Sequence, residues 1–291
     1  WTAVLASGAA GEAEARLRRS EGDYHWCAFR AVPLHDADGR LVKWYGQTLD
    51  IDAVKRAEAL LAGEKQLLEM VAKGHPLDRI LDAICRLVEA LAPETRVSVM
   101  LLDEATRRLW TRAAPSLPRE YLAAVDGCHI DARPGPCAQA ASAAEVVLVP
   151  DIAAEPRWYA YADVAVRCDV RALLSMPILS STGEVLGAIA MYFREPVLPT
   201  SYQRNIIDQL THLAAVAVER ARTDSALQAS EERFRRMADS TPDVIWITEL
   251  DPERVLYASP SFERIWGLKV DALYRDPHLW IDGIHPEDRS R

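Results

Sequence analysis

The spacing of apolar and polar positions changes several times along this chain. From Tyr24 to Val32 and from Arg40 to Asp50 it is rich in aromatic and β-branched residues. Between these runs lies His35-Asp36-Ala37-Asp38-Gly39, whose Asp-Gly pair favours a hairpin. Residues 12–50 therefore read as an antiparallel strand, hairpin, strand unit, too few strands to be stable alone in water. From Ile51 to Gly74 the period becomes helical, with Leu60, Leu67 and Val71 at heptad-like spacing among charges. Residues Glu219 to Asp239 repeat this behaviour with Leu227, Phe234 and Met237. Both stretches read as helical connectors able to pair with a copy of themselves. The alternative is single amphipathic helices packed on neighbouring domains.

The largest unit lies between the connectors, over residues 75–218. It opens with Leu77, Ile80, Leu81, Ile84, Leu87, Val88 and Leu91 on one helical face, and closes with Ile206, Leu210, Leu213, Ala214 and Ala217 on another. Five strand-like runs fall between: Arg96–Leu102, Arg108–Ala113, Val146–Val149, Leu173–Leu179 and Val185–Phe193. The turn Ser180-Ser181-Thr182-Gly183 joins the last two as a hairpin. Helices at both ends with antiparallel strands between them predict an α+β layer, with helices on one sheet face and irregular segments on the other. Beyond Asp239 come a further strand pair, Val244–Leu250 and Val255–Ala258, then short helical segments and His285-Pro286-Glu287-Asp288-Arg289.

Composition narrows the function classes. The 291 residues suffice for about two ordinary domains, and 49% apolar with 26% charged residues is the balance of a folded globular protein. A net charge of −9 leaves no broad cationic field for nucleic acid or an anionic membrane surface. No apolar run reaches the roughly 18 residues of a membrane span. The five cysteines (Cys27, Cys85, Cys128, Cys137, Cys168) are scattered and odd in number, as expected of free thiols in a reducing, cytoplasmic setting. A chain that starts on Trp1 and stops on Arg291 after a turn-like segment reads as a piece of a longer protein.

Residues 135–193 resemble a GAF domain. The carriers, in order, are Pro136-Cys137, Val149-Pro150-Asp151-Ile152, Pro156-Arg157-Trp158, Arg171 to Pro177-Ile178, and Gly183-Glu184-Val185-Leu186-Gly187. Residues 21–55 resemble the C-terminal half of a PAS domain, through Gly22-Asp23-Tyr24-His25-Trp26, Arg30-Ala31-Val32-Pro33-Leu34, Gly39-Arg40, Trp44-Tyr45-Gly46 and Asp50-Ile51. Residues 232–289 resemble the N-terminal half, through Phe234, Pro242-Asp243, Tyr257-Ala258-Ser259-Pro260-Ser261-Phe262, Ile265-Trp266-Gly267 and the His285–Arg289 segment. The implied organisation is a half PAS domain (1–52), a connector (53–74), a GAF domain (75–218), a connector (219–240) and a second half PAS domain (241–291). The fold class is thus α+β: a GAF-type antiparallel sheet with helices, two incomplete PAS-type units and helical connectors.

The resemblance implies the input and dimerisation region of a cytoplasmic signalling protein, most often a two-component sensor histidine kinase, with no catalytic domain in this chain. The alternatives are a structural spacer with no ligand and the input region of a cyclic-di-GMP cyclase or phosphodiesterase. No phosphate-cradling glycine motif occurs. His75 and His212 lack the acidic-plus-arginine surroundings of a phosphoacceptor, and His212 reads as a semi-buried packing residue. Cys128-His129 and Cys137 are too loosely spaced for a zinc site. Cys168 is followed by Asp169 rather than by the histidine of a bilin attachment pair, and Tyr159, nearer the expected place, cannot form a thioether. His129 is the only haem-ligand candidate in that loop, so neither haem nor bilin is expected, and the cofactor stays unassigned. Reversible oxidation of Cys137 or Cys168 is a further option. The pocket candidates are Cys137, Trp158, Tyr159, Tyr161, Cys168 and Arg171: aromatics for apolar walls and an arginine for an acid. The same aromatics could equally fill the cap. Leu60, Leu67, Val71, Leu227 and Phe234 are the dimer or connector candidates, and the expected partners are a second copy, a small-molecule ligand and an output domain.

Overall fold

The computed structural model describes residues 2–20, 22, 24–131, 135–251, 253–285 and 287–288. The side chains of residues 3, 158–160 and 282 also lie outside the described set. The chain divides into two compact units, residues 1–219 and 220–291.

The first unit begins with a short helix, α1 (Thr2–Ser7), and an antiparallel sheet of three strands, β1 (Gly11–Arg18), β2 (Tyr24–His35) and β3 (Leu41–Asp50), in that order. The β2–β3 turn is closed as its Asp-Gly pair requires. Gly39 takes φ +79°, and the Asp36 carboxylate accepts the amides of Asp38 at 3.1 Å and Arg40 at 2.8 Å. Strand β1 has no counterpart in the sequence reading. Its residues, Gly-Glu-Ala-Glu-Ala-Arg-Leu-Arg, are mostly exposed and lack β-branched side chains, so its strand state comes from pairing with β2.

Helix α2 (Asp52–Ala72) is anchored to that sheet at its first turn. The Ile51 amide bonds the Trp26 carbonyl at 2.9 Å, and the Trp26 amide donates to Asp52 at 3.3 Å. Gly74, at φ +69°, ends α2 in the left-handed cap conformation, and α3 (Leu77–Leu91) runs back against it. The two helices approach closely at Gly63, where a Cβ would stand 2.5 Å from both Leu87 methyls.

A second sheet follows, built from β4 (Thr95–Asp103), β5 (Arg108–Ala113), β6 (Cys128–His129), β7 (Val147–Val149), β8 (Ala172–Leu179) and β9 (Val185–Phe193). Its order is β6-β5-β4-β9-β8-β7, antiparallel throughout. Between strands lie α4 (Arg119–Val125), α5 (Pro136–Ala143) and α6 (Tyr159–Arg167), the last entered through a 3-10 turn at Pro156–Trp158. Helix α7 (Ser201–Ser240) closes the unit and continues beyond it.

Helices cover both faces of this sheet. On one side Leu81, Ile84 and Val88 of α3, Leu60 and Leu67 of α2, and Ile206, Ile207 and Leu210 of α7 pack on Leu174, Ile178, Ile189 and Met191. On the other, Tyr121 of α4, Cys137, Ala138 and Ala141 of α5 and Ala165 of α6 pack on Met100, Leu173, Ala188 and Tyr192. Coverage of both faces explains why β9 is apolar at nearly every position instead of alternating. The second face carries short helices where the sequence suggested irregular chain. Helix α5 starts with Gly135-Pro136 and stops at Ala144 in a left-handed conformation, and its stripe of alanines carries little amphipathic signal. His212 is exposed, not semi-buried. The neighbouring Leu210 and Ala214 face the sheet, and His212, two residues on from Leu210, turns to the opposite side.

In the second unit β10 (Trp246–Leu250) and β11 (Glu253–Ala258) form an antiparallel pair. Helices α8 (Ser261–Trp266) and α9 (Val270–Arg275) and a 3-10 turn at Leu279–Gly283 follow. Ala258, Phe262 and Leu273 make a small core. Buried Ser259 ties the sheet through the Ile245 amide at 3.1 Å, and Ser261 donates to the Thr241 carbonyl at 2.7 Å. Of the resemblance carriers, Asp23, Pro286 and Arg289 lie outside the described residues.

Candidate functional site

Cys137 and Cys168 meet on the sheet face covered by α4, α5 and α6, in one buried cluster with Tyr121 and Tyr192. The Cys137 thiol lies 3.7 Å from the Tyr192 hydroxyl, which in turn is 2.9 Å from Ser98 Oγ. The Tyr121 ring meets the Tyr192 ring edge-on, with centroids 5.5 Å apart. Ser175 is fully buried beside Cys137, near enough to favour the Cys137 thiolate, and its hydroxyl makes no hydrogen bond of full geometry among the described atoms. A row of neutral hydroxyl and thiol groups thus crosses β4, β9 and β8 beneath α5.

Burial governs the chemistry here. Desolvation raises the Cys137 thiol, and it pushes Cys128 up to about 12. It also raises the Tyr121 and Tyr192 hydroxyls, so all of these groups stay neutral at ordinary pH. A thiol held protonated is a poor nucleophile and a poor redox centre. Among the described residues no group of three or more His, Cys, Asp or Glu side chains could hold a metal.

Tyr161 of α6 is half-buried and lies against Gly135, where a Cβ would stand 3.3 Å from its ring. Burial raises its hydroxyl as well. The Trp158 and Tyr159 side chains lie outside the described residues. Arg171 is engaged already: its guanidinium donates to both Asp151 oxygens, at 3.1 and 3.2 Å, while its Nε is buried without a partner among the described residues. The Cys168 carbonyl accepts from Arg96 at 2.7 Å, which fixes the end of α6 to β4.

The connector candidates separate into two groups. Leu60, Leu67 and Val71 are buried within this chain, in the core shared with α3 and α7. Leu227 and Phe234 are exposed on α7. Phe234 also touches Tyr257 edge-on at 5.5 Å, and the Tyr257 hydroxyl donates to Asp239 at 2.9 Å. One residue along from Leu60 and Leu67, Leu61 and Leu68 stand 65% and 48% exposed, and Val54 continues the same seven-residue spacing at 55%.

Sequence reasoning missed Ser98, Ser175 and Tyr192, which are polar atoms in apolar strands. Their signal was a serine in each of two buried runs. It also missed a cavity of about 140 Å³ in the second unit, lined by Trp246, Phe262, Trp266 and Trp280 among others. No helix among the described residues is long and apolar enough to cross a membrane.

The comparisons agree with this architecture. A family model for the GAF domain matches residues 74–219, and one for the PAS domain matches residues 232–291. The methyl sulfide methyltransferase-associated sensor of Methanosarcina acetivorans is 32% identical over 238 residues, 82% of this chain and 24% of that protein. A blue-light-activated histidine kinase of Rhizobium johnstonii is 30% identical over 96 residues, 31% of this chain and 28% of that protein. The chain therefore spans about a quarter of the length of these curated relatives. A GAF domain from a Coxiella burnetii phosphoenolpyruvate-protein phosphotransferase superposes with a TM-score of 0.50 at 16% identity, covering 58% of this chain and 98% of that one, which speaks for the fold alone. With half its length matched by the GAF model, the chain belongs to the GAF domain family and carries a GAF sensory domain followed by a PAS-type segment.

Proposed function

We propose that this chain is the sensory input and dimerisation region of a cytoplasmic signal-transduction protein whose output domain is a histidine kinase. The carrying observation is that α7 starts in the helical layer of the GAF sheet and runs unbroken to Ser240, inside the PAS match. A continuous helix transmits a shift or rotation at one end to the other. The domain division follows the same logic: a GAF domain at 75–218, connectors at 53–74 and 219–240, and half PAS domains at 1–52 and 241–291.

The sensing face is the one covered by α5 and α6. Its neutral row of Ser98, Tyr192, Cys137 and Ser175 offers hydrogen bonds without buried charge, which suits a small uncharged ligand. Dimerisation uses the exposed stripe Val54, Leu61 and Leu68 on α2, in place of the buried Leu60, Leu67 and Val71, and, as a separate contact in the second unit, Leu227 on α7.

A ligand-free spacer is the second reading. It is favoured by the packing of the site, since Arg171 is taken up by Asp151 and the hydroxyl row is largely satisfied internally. Thermal unfolding of the full chain against a panel of small neutral metabolites separates the two. The sensor reading expects a stabilising compound whose effect is lost in Ser175→Ala. A uniformly silent panel supports the spacer.

A further inference from the structure

The β8–β9 hairpin tip contacts α7 through Ser181 and Glu219. The turn at Ser180–Gly183 is braced internally: Gly183 N–H donates to the Ser180 carbonyl at 3.0 Å, and Glu184 N–H donates to Ser180 Oγ at 2.9 Å. Gly183 adopts φ +86°, which closes the turn. Ser181 is left facing outward. Its amide donates to Glu219 Oε1 at 3.0 Å, and its hydroxyl donates to the same oxygen at 2.7 Å. Both bonds favour the ionised acid, and the Glu219 carboxyl is held below the usual carboxylate range.

Glu219 stands where α7 changes character. Ala214, Ala217 and Val218 just before it are buried on the sheet, whereas residues 222–237 are all exposed. The first compact unit ends at Glu219. The strands that meet at the tip, β8 and β9, also carry Ser175 and Tyr192 on the opposite sheet face.

We propose that the Ser181–Glu219 contact is a clasp that passes movement of the β8–β9 hairpin to the C-terminal half of α7. With the clasp closed, the helix beyond Glu219 is held at its root. With it open, the exposed stretch between Glu219 and Phe234 loosens from its last buried turn, while Phe234, Ala238 and Asp239 keep their contacts within the second unit. A displacement of either strand by anything seated beneath α5 bears on the clasp, since the tip joins both strands directly. The proposal rests on the reading of α7 as the output helix.

Native-state hydrogen exchange on the full chain tests it without any ligand. Ser181→Pro removes both donors, while proline remains compatible with the second position of such a turn. Glu219→Ala removes the acceptor. Both are expected to speed exchange at residues 222–238 by about three- to fivefold, the scale of one exposed charge-assisted contact, with α3 amides unchanged. Glu219→Gln, which keeps an acceptor oxygen, should fall between them and the parent. Parent-like exchange at 222–238 in both Ser181→Pro and Glu219→Ala overturns the clasp. It leaves the sensor reading standing, because that reading is tested through the site beneath α5.

Discussion

Ser98 Oγ and Tyr192 Oη lie 2.9 Å apart on adjacent strands, both buried and both uncharged. Both are buried from water, so Ser98 depends on Tyr192, and Tyr192 on Ser98 and the Cys137 thiol. Tyr192→Phe keeps the ring contact with Tyr121 and removes only the hydroxyl. It should cost about 1–2 kcal/mol of stability, read from the urea midpoint, because Ser98 is left with a buried unmet group. The pair Ser98→Ala and Tyr192→Phe together should cost less than the sum of the two single changes. Additive losses would mean that the two hydroxyls do not interact.

Gly187 is fixed by close backbone approach. A Cβ there would stand 2.1 Å from the Met100 carbonyl oxygen and 2.9 Å from Leu101 Cα. These are backbone atoms of β4 and cannot rotate away. Gly187→Ala should therefore destabilise by about 3 kcal/mol or more, or prevent folding. Gly63→Ala meets only Leu87 side-chain methyls and should cost less, about 1–2 kcal/mol. Denaturant titration ranks the two, and the opposite order would contradict the packing.

Thiol chemistry follows burial. Cys128 is pushed up to about 12 from an ordinary 9.0. Its thiolate fraction at pH 8 then falls by about a thousandfold, and alkylation slows in proportion. Cys85 and Cys137 are shifted in the same direction by desolvation. Iodoacetamide labelling of native protein should be slow at these positions and become fast once urea unfolds the chain. Rapid native labelling of Cys137 would restore the redox option.

The exposed stripe on α2 predicts a specific loss. Leu61→Glu places a charge at the centre of Val54, Leu61 and Leu68, away from the α3 packing face. It should leave thermal unfolding of the first unit nearly unchanged and convert a dimer to monomer by light scattering. Leu60→Ala, on the buried face, should instead cost about 2–4 kcal/mol of stability. A monomeric parent chain at high concentration would remove the dimer reading.

The parts of the fold that sequence exposed are those with strong periodicity. The α3 stripe, the β8 and β9 runs and the Asp36–Gly39 hairpin all fall where pattern and turn chemistry place them. Strand β1 and helices α4, α5 and α6 were not legible, because tertiary pairing creates the first and alanine-rich or short segments carry little period in the others. The site was partly legible. Cys137 and Cys168 gather in one buried cluster and Tyr161 lies against Gly135, whereas Arg171, a candidate for holding a ligand's acid, pairs with Asp151 of its own chain. The heptad positions Leu60 and Leu67 were real as a repeat, but periodicity alone does not say whether a stripe faces its own domain or a second copy.

The central claim is that strain beneath α5 reaches α7. Ser175→Val on the full chain tests it most directly. Valine replaces the buried hydroxyl beside Cys137 with bulk between β8 and α5, in the manner of a seated ligand. Hydrogen exchange should then change at residues 222–238 of α7, with α3 amides near Ile84 unaffected. A change confined to β8, β9 and α5, with 222–238 exchanging as in the parent, would contradict the account.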